Sequence, residues 1–310
     1  MKEKLPKIID THSHVQFHAF NNDKDEVIKK TLAENIWMIN VGTKYETSKK
    51  AVEMAGHYDK GVYAAIGLHP MYAAAEFIKL KTDPDEGEFL IQEQNFDKEK
   101  YKELALQGGP KIVAIGEIGL DYYYKPKSAA KLALFKEKQK QVFWEQLGLA
   151  QELNLPVILH CRVAHQDMLE ILKSYILNHK SFLGGVVHCF TGSIEEMQQY
   201  IDSGFYIGIN GIIFKLPLDE VIKNTPLEKI VVETDCPYLT PLPEGTKRNE
   251  PIFIKHTIQK IAELKGITFD QVAEKTTQNA RKLFNIQTKS IPRQLAAGLS
   301  FRKVSKNSGL

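Results

Sequence analysis

Three cysteines in 310 residues are few, and odd in number, so no disulfide framework is expected. The chain has no apolar run of about 18 residues, which argues against a membrane span. Its opening residues, MKEKLPKIID, carry no apolar stretch of the signal-peptide kind. These absences point to a reduced intracellular protein, cytoplasmic or, in a eukaryote, nuclear. No GxGxxG or Walker-type loop occurs, so a nucleotide cofactor is not expected. Excess charge of one sign is also scarce. A net charge of +3 is too mild to mark a nucleic-acid partner, and any such contact must come from a local patch.

With 43% hydrophobic and 25% charged residues, the chain can bury a sizeable core. Short apolar runs recur along it: KIIDTHSHV (7–15), NIWMINVG (35–42), GVYAAIGLHP (61–70), KIVAIGEIGLD (111–121), LPVILHC (155–161), GGVVHCF (184–190), GFYIGING (204–211) and KIVVETD (229–235). Helical patterns such as 131–153 and 193–204 separate them. Strands alternating with helices imply parallel βαβ units, and eight such units predict a single-domain α/β protein, a (β/α)8 TIM-type barrel. The barrel is expected over 1–286, with a polar, acid-rich surface insertion at about 79–100. Residues 287–310 follow the last helical pattern (269–285). They carry Lys289, Arg293, Arg302, Lys303 and Lys306 but no acid, and read as a flexible basic tail.

The ionisable residues fall in a pattern. Alternation places Asp10, His12 and His14 on one side of the first strand. His12 and His14 end that strand, His69 the third, Glu117 the fourth, His160 the fifth, His188 the sixth and Asp235 the eighth. In a barrel those carboxyl ends meet at one mouth, where active sites of this fold are built. So many imidazoles and carboxylates are costly to bury together unless metal ions offset the charge. They exceed what one catalytic zinc needs and fit two divalent metals ~3.5–4 Å apart. Glu117 is the natural bridge. Asp235 can bind one metal and also orient or deprotonate the attacking water. The metal itself stays open, because imidazole suits zinc, phosphoryl transfer commonly uses magnesium, and manganese also fits.

Cys161, Cys189 and Cys236 each follow a candidate ligand, and alternation turns them to the opposite face, under the helices. Arg162 lies two residues beyond His160 and suits a phosphate or a rim salt bridge. Glu233 shares the inward face with Asp235 and can orient a ligand histidine or simply fill the barrel. The run DYYYK (121–125) flanks the mouth, to stack bases or to pack on the surface. Lys215, after strand seven, meets an anion or solvent.

In order, DTHSH, GLHP, GEIGLDYY, PVILHCR, VHCFTG, GFYIGING with Lys215 beyond it, ETDCPYL and RNEP closely resemble the TatD family of metal-dependent deoxyribonucleases, within the amidohydrolase-like superfamily. The match runs from about residue 8 to about 285. The resemblance implies that His12, His14, Glu117, His160, His188 and Asp235 are the metal ligands, and that His69 and Arg162 belong to the substrate pocket. It implies that RNEP (248–251) shapes the loop after strand eight, and that the enzyme is a 3′–5′ exonuclease acting on DNA single strands or strand ends. One rival is a hydrolase of a small amide, lactone or phosphoester. Related barrels of that kind often bridge their metals with a modified lysine on strand four, where this chain has Glu117. A non-catalytic, metal-stabilised scaffold is the other rival. The insertion and the basic tail depart from the family pattern.

Overall fold

All eight apolar runs become strands in a computed structural model that describes residues 6–78, 85–86 and 95–286. They are β1 (Ile8–Ser13), β2 (Ile36–Val41), β3 (Val62–Ile66), β4 (Ile112–Asp121), β5 (Val157–Arg162), β6 (Gly185–Val187), β7 (Tyr206–Ile209) and β8 (Ile230–Val232). Neighbours pair in parallel and in sequence order. Strands of this kind are covered by helices on one face and filled by side chains on the other, so their sequences read as apolar runs rather than alternations. Every residue of β2 and β3 is buried.

The ring closes beyond the last ladder. The Asp235 amide donates to the His12 carbonyl at 2.8 Å, and the His14 amide donates to the Cys236 carbonyl at 2.9 Å. A β-bridge joins Ser13 to Cys236. The segment that closes the barrel therefore also carries Asp235 to His12 and to His14 just past β1.

Among the described residues the connections hold ten α-helices. In chain order these are α1 (Lys24–Ala33), α2 (Tyr45–Gly56), α3 (Pro70–Ala73), α4 (Lys98–Gly108), α5 (Ala129–Leu153), α6 (His165–Asn178), α7 (Ile194–Asp202), α8 (Asp219–Asn224), α9 (Ile254–Lys265) and α10 (Phe269–Leu283). Local chemistry sets several of their ends. Ser193 and Thr268 accept the amides of Glu196 and Gln271, whose side chains bond back to the cap amides, which are the reciprocal bonds that S-x-x-E and T-x-x-Q spacing encode. None of these helices is long and apolar enough to cross a membrane.

Two apolar clusters make the core. The larger lies between sheet and helices. The smaller takes residues from every strand, including Ile9, Ile39, Ala65, Ile158, Val186 and Val231, and so fills the lumen. Ala280, Phe284 and Ile286 at the end of α10 join it and plug the end of the barrel away from the histidines. The basic tail and most of the expected insertion lie outside the described residues. From that insertion Glu86 is described. It accepts hydrogen bonds from the hydroxyls of Thr43 and Tyr72, with the Lys44 ammonium at 3.4 Å.

Candidate metal centre

Four imidazoles and two carboxylates from different strands converge at the mouth. At the end of β1 and just beyond it, His12 Nε2 and His14 Nε2 approach to 3.1 Å. His14 Nδ1 lies 2.7 Å from the Val41 carbonyl, which can only accept, so the His14 proton sits on Nδ1. In the neutral ring Nε2 then carries the lone pair, aimed into the centre, while, against burial, the Asp235 carboxylate beside it raises the His14 pKa and favours a second proton there. Asp235 Oδ1 stands 3.4 Å from His14 Nε2 and 3.7 Å from His12 Nε2. Asp235 takes a left-handed backbone, with φ of 57°, which a non-glycine residue adopts at a cost. The hydrogen bonds that close the barrel hold it there.

Glu117 occupies the middle. Its Oε2 is 3.4 Å from His12 Nε2. Its Oε1 is 2.5 Å from His160 Nδ1, 2.9 Å from His188 Nε2 and 3.5 Å from His69 Nε2. The two oxygens of one carboxylate thus address two separate sets of imidazoles.

Supporting groups fix the imidazoles. Asp121 Oδ2 lies 3.0 Å from His160 Nε2, so that nitrogen donates and Nδ1 is free to turn its lone pair inward. Asp121 was not singled out by the sequence reading, although it shares a strand face with Glu117 at period two. Glu233 is wholly buried under His188. Its Oε1 accepts the Cys189 amide at 2.6 Å and the Asn210 amide group at 3.0 Å, and stands 3.4 Å from His188 Nδ1. Two glycines make room for these groups. A Cβ on Gly208 would come within 2.6 Å of Glu233 Oε2, and one on Gly119 within 2.2 Å of the His160 carbonyl.

His69 behaves differently. It caps α3, its Nδ1 accepting the Met71 amide at 3.1 Å, so its proton is on Nε2. A side chain presenting N–H cannot ligate through that atom. Of the three clusters with metal-ligand spacing, His12–His14–Asp235 and His12–Glu117–His188 offer bare lone pairs, whereas in His69–Asp121–His160 the first member is a donor.

The charge balance fits a cation. Burial opposes protonation of His160, yet the carboxylates of Glu117 and Asp121 outweigh it and raise its pKa to about 9. His188 is likewise raised against burial, chiefly by Glu117. Burial would raise Glu117, but the surrounding imidazoles hold it well below the usual carboxylate range. Burial and the adjacent His188 lower His12, which stacks on that ring with centroids 3.9 Å apart. The carboxylates draw positive charge to these lone pairs, and divalent ions would supply it at the same atoms.

Several expectations need adjusting. Glu117 does not end its strand, because β4 continues through Gly119 to Asp121. His14, His69, His188 and Asp235 lie just past theirs, and His160 stands inside β5, two residues before its end. Asp10 does not join its histidines. The β1–β2 register shifts between Asp10 and Ser13, which breaks strict alternation. Its carboxylate instead accepts the Thr234 amide and hydroxyl at 2.9 and 2.6 Å, clamping β1 to the segment after β8, and burial pushes it up to about 8. The cysteines take no part in the three clusters. Cys161 lies against His165 and Tyr200 at 3.3 and 3.5 Å. Arg162 is exposed at the end of β5 and packs on Tyr123 rather than on a carboxylate. Lys215 is exposed after a short 3-10 helix.

Comparison with known proteins identifies the family of the chain. A family profile described as TatD related DNase matches residues 9–285. A Bacillus subtilis protein, described as the uncharacterized metal-dependent hydrolase YabD, is 38% identical over 283 residues, covering 90% of this chain and 99% of that one. The 3′-5′ ssDNA/RNA exonuclease TatD of Citrobacter rodentium is 34% identical over 280 residues, 87% of this chain and 95% of its own. The crystal structure of YJJV, a TatD homolog from Escherichia coli K12, superposes with a TM-score of 0.74 at 28% identity, covering 91% of this chain and 99% of that one.

Proposed function

The chain belongs to the TatD family of metal-dependent hydrolases, and from that premise we propose that it removes nucleotides from the 3′ end of single-stranded DNA. One observation carries the reading. Glu117 Oε2 faces His12, beside His14 and Asp235, while Oε1 faces His160 and His188, the pattern of a carboxylate shared by two ions. In this reading His12, His14, Asp235 and Glu117 would hold one divalent ion, and Glu117, His160 and His188 would hold the other.

Two bound cations supply Lewis-acid charge at the phosphoryl oxygens and acidify the attacking water. The protein's own groups do the rest. Burial raises the Asp235 pKa, but the His14 contact outweighs it and the net shift is downward. Asp235 is then ionised at neutral pH, able to orient the water and accept its proton. His69 is neutral, because burial and His160 lower its pKa, and its Nε2–H is a donor for charge developing on a phosphoryl oxygen. Arg162 at the rim and Lys215 after β7 meet the strand's phosphates. A pocket at a barrel mouth admits a strand end more readily than a continuous duplex.

The test is degradation of 5′-labelled and 3′-labelled single-stranded DNA, with RNA in parallel, by enzyme stripped with EDTA and reloaded with magnesium, manganese or zinc. The expected result is a metal-dependent 5′-labelled ladder that shortens stepwise. Full activity after stripping would refute the metal mechanism, and fragments arising within the strand would refute the exonuclease mode.

A further inference from the structure

At the mouth, beside Asp121 and His160, three flat polar groups stand together. Tyr123 and Tyr124 are 53% and 46% exposed, with ring centroids 4.8 Å apart and planes at 89°. The Arg162 guanidinium carbon sits 3.6 Å from the Tyr123 ring centroid and 5.7 Å from that of Tyr124. Among the described residues no carboxylate pairs with Arg162. A single exposed aromatic carries no information. A tyrosine face and an unneutralised guanidinium that share one edge of a metal-hydrolase centre do.

The platform is anchored. Preceding it, Tyr122 is buried and donates to Asp167 at 2.8 Å, so the turn cannot swing freely. The Tyr122 amide donates to the Arg162 carbonyl at 2.9 Å, and the Tyr123 amide to Asp121 Oδ1 at 2.8 Å. Asp121 in turn contacts His160, which contacts Glu117. The exposed ring is thus tied to the reacting centre through two side chains.

We propose that Tyr123, backed by Arg162 and flanked by the edge of Tyr124, is a stacking subsite for one nucleobase of a strand whose phosphate lies at the metal centre. The proposal rests on the nucleic-acid reading above. Stacking on an aromatic face recognises any base, and a guanidinium at its margin adds attraction for both the ring and the neighbouring phosphate. A base stacked on Tyr123 has left its own stack, so the subsite favours single strands and frayed ends over paired ones. It also predicts little sequence preference.

The experiment compares metal-loaded wild type, Tyr123→Ala and Tyr123→Phe on single-stranded oligonucleotides that are intact or abasic at one of the last three 3′ positions. Metal content is measured alongside. Wild type and Tyr123→Phe should cleave the intact strand about tenfold more efficiently than the strand abasic at one particular position, mainly through KM. In Tyr123→Ala that ratio should fall to near one, with normal metal content. If wild type is active but Tyr123→Ala slows every substrate equally, or keeps the full ratio, the subsite is refuted and the nuclease reading stands. If wild type cleaves neither DNA nor RNA, the nuclease reading falls and takes the subsite with it.

Discussion

At Glu117, Oε1 lies 2.9 Å from His188 Nε2 while Oε2 lies 3.4 Å from His12 Nε2, so a neutral amide there would present one acceptor and one donor. Glu117→Gln keeps the shape but removes the charge that would hold two cations close. The expected outcome is lower metal content, read by elemental analysis, and a rate reduced by roughly a hundredfold or more. Normal metal content with normal turnover would show that the bridge lies elsewhere. His160 carries a pH prediction. Its pKa is raised to about 9 in the metal-free protein, because two carboxylates outweigh the burial that opposes charging. Below that pH an entering cation must displace a proton from His160, and His188 and His14, raised against burial chiefly by Glu117 and by Asp235 respectively, add theirs. Metal affinity should therefore climb with pH from neutrality to about 9. Competition with a chelating indicator measures this, and an affinity that is flat between neutral pH and that value would contradict it.

Among the elements, the loop after β8 depends on contacts with the first connection. Arg248 donates to both oxygens of Asp23, at 2.9 and 2.7 Å, and to the Ala19 carbonyl at 2.6 Å, and its guanidinium lies 4.1 Å from the Phe20 ring centroid. Asn249 caps the carbonyls of Thr234 and Tyr238 at 2.9 and 2.6 Å. These bonds flank Asp235, so the RNEP stretch bears on that carboxylate without touching it. Arg248→Ala should cost about 1–3 kcal/mol in chemical denaturation, since it removes bonds to a charged partner. Asp23 sets the pH dependence. The Arg248 bonds hold its carboxyl below the usual range, so the folded state binds that proton less readily than the unfolded state. The contribution is present above about pH 4, where the unfolded carboxylate is ionised, and is lost as pH falls through the lowered pKa. The stability gap between wild type and variant should accordingly narrow in acid. A constant gap would assign the loss to the packing on Phe20 and the bond to the Ala19 carbonyl instead.

For the molecule as a whole, the core ends where the described chain ends. Phe284 and Ile286 are only 2% and 3% exposed and sit in the lumen cluster. We propose that the barrel extends to 286 and that the basic tail, which lies outside the described residues, serves binding. Deletion should leave the denaturation midpoint and turnover at saturating DNA nearly unchanged. Affinity for DNA should weaken at low salt, and the difference should shrink as salt rises, because five cations release counterions without reading sequence. A lost folding transition would make the tail a structural element, and an affinity unchanged at every salt concentration would make it an appendage.

The sequence by itself determined the barrel. Parallel strands buried on both faces must be written as apolar runs, and a polar residue placed after such a run must emerge at the mouth. His12, His14, His160, His188 and Asp235 were legible for that reason, and the match of their spacing to a known family named the chemistry. What only the tertiary structure decided was how those residues meet. Asp10 precedes His12 at the spacing that separates His12 from His14, yet a register shift turns its carboxylate to Thr234. His69 follows its strand as His188 does, yet a cap bond from Met71 makes it a donor. Asp121 contacts His160 only because β4 and β5 run side by side, and Tyr123 meets Arg162 across the same pair of strands. Local pattern carries the period of a strand and the polarity of its end. Register, ring closure and the proton position on an imidazole depend on partners far away in the chain, and those partners are defined only once the barrel is closed.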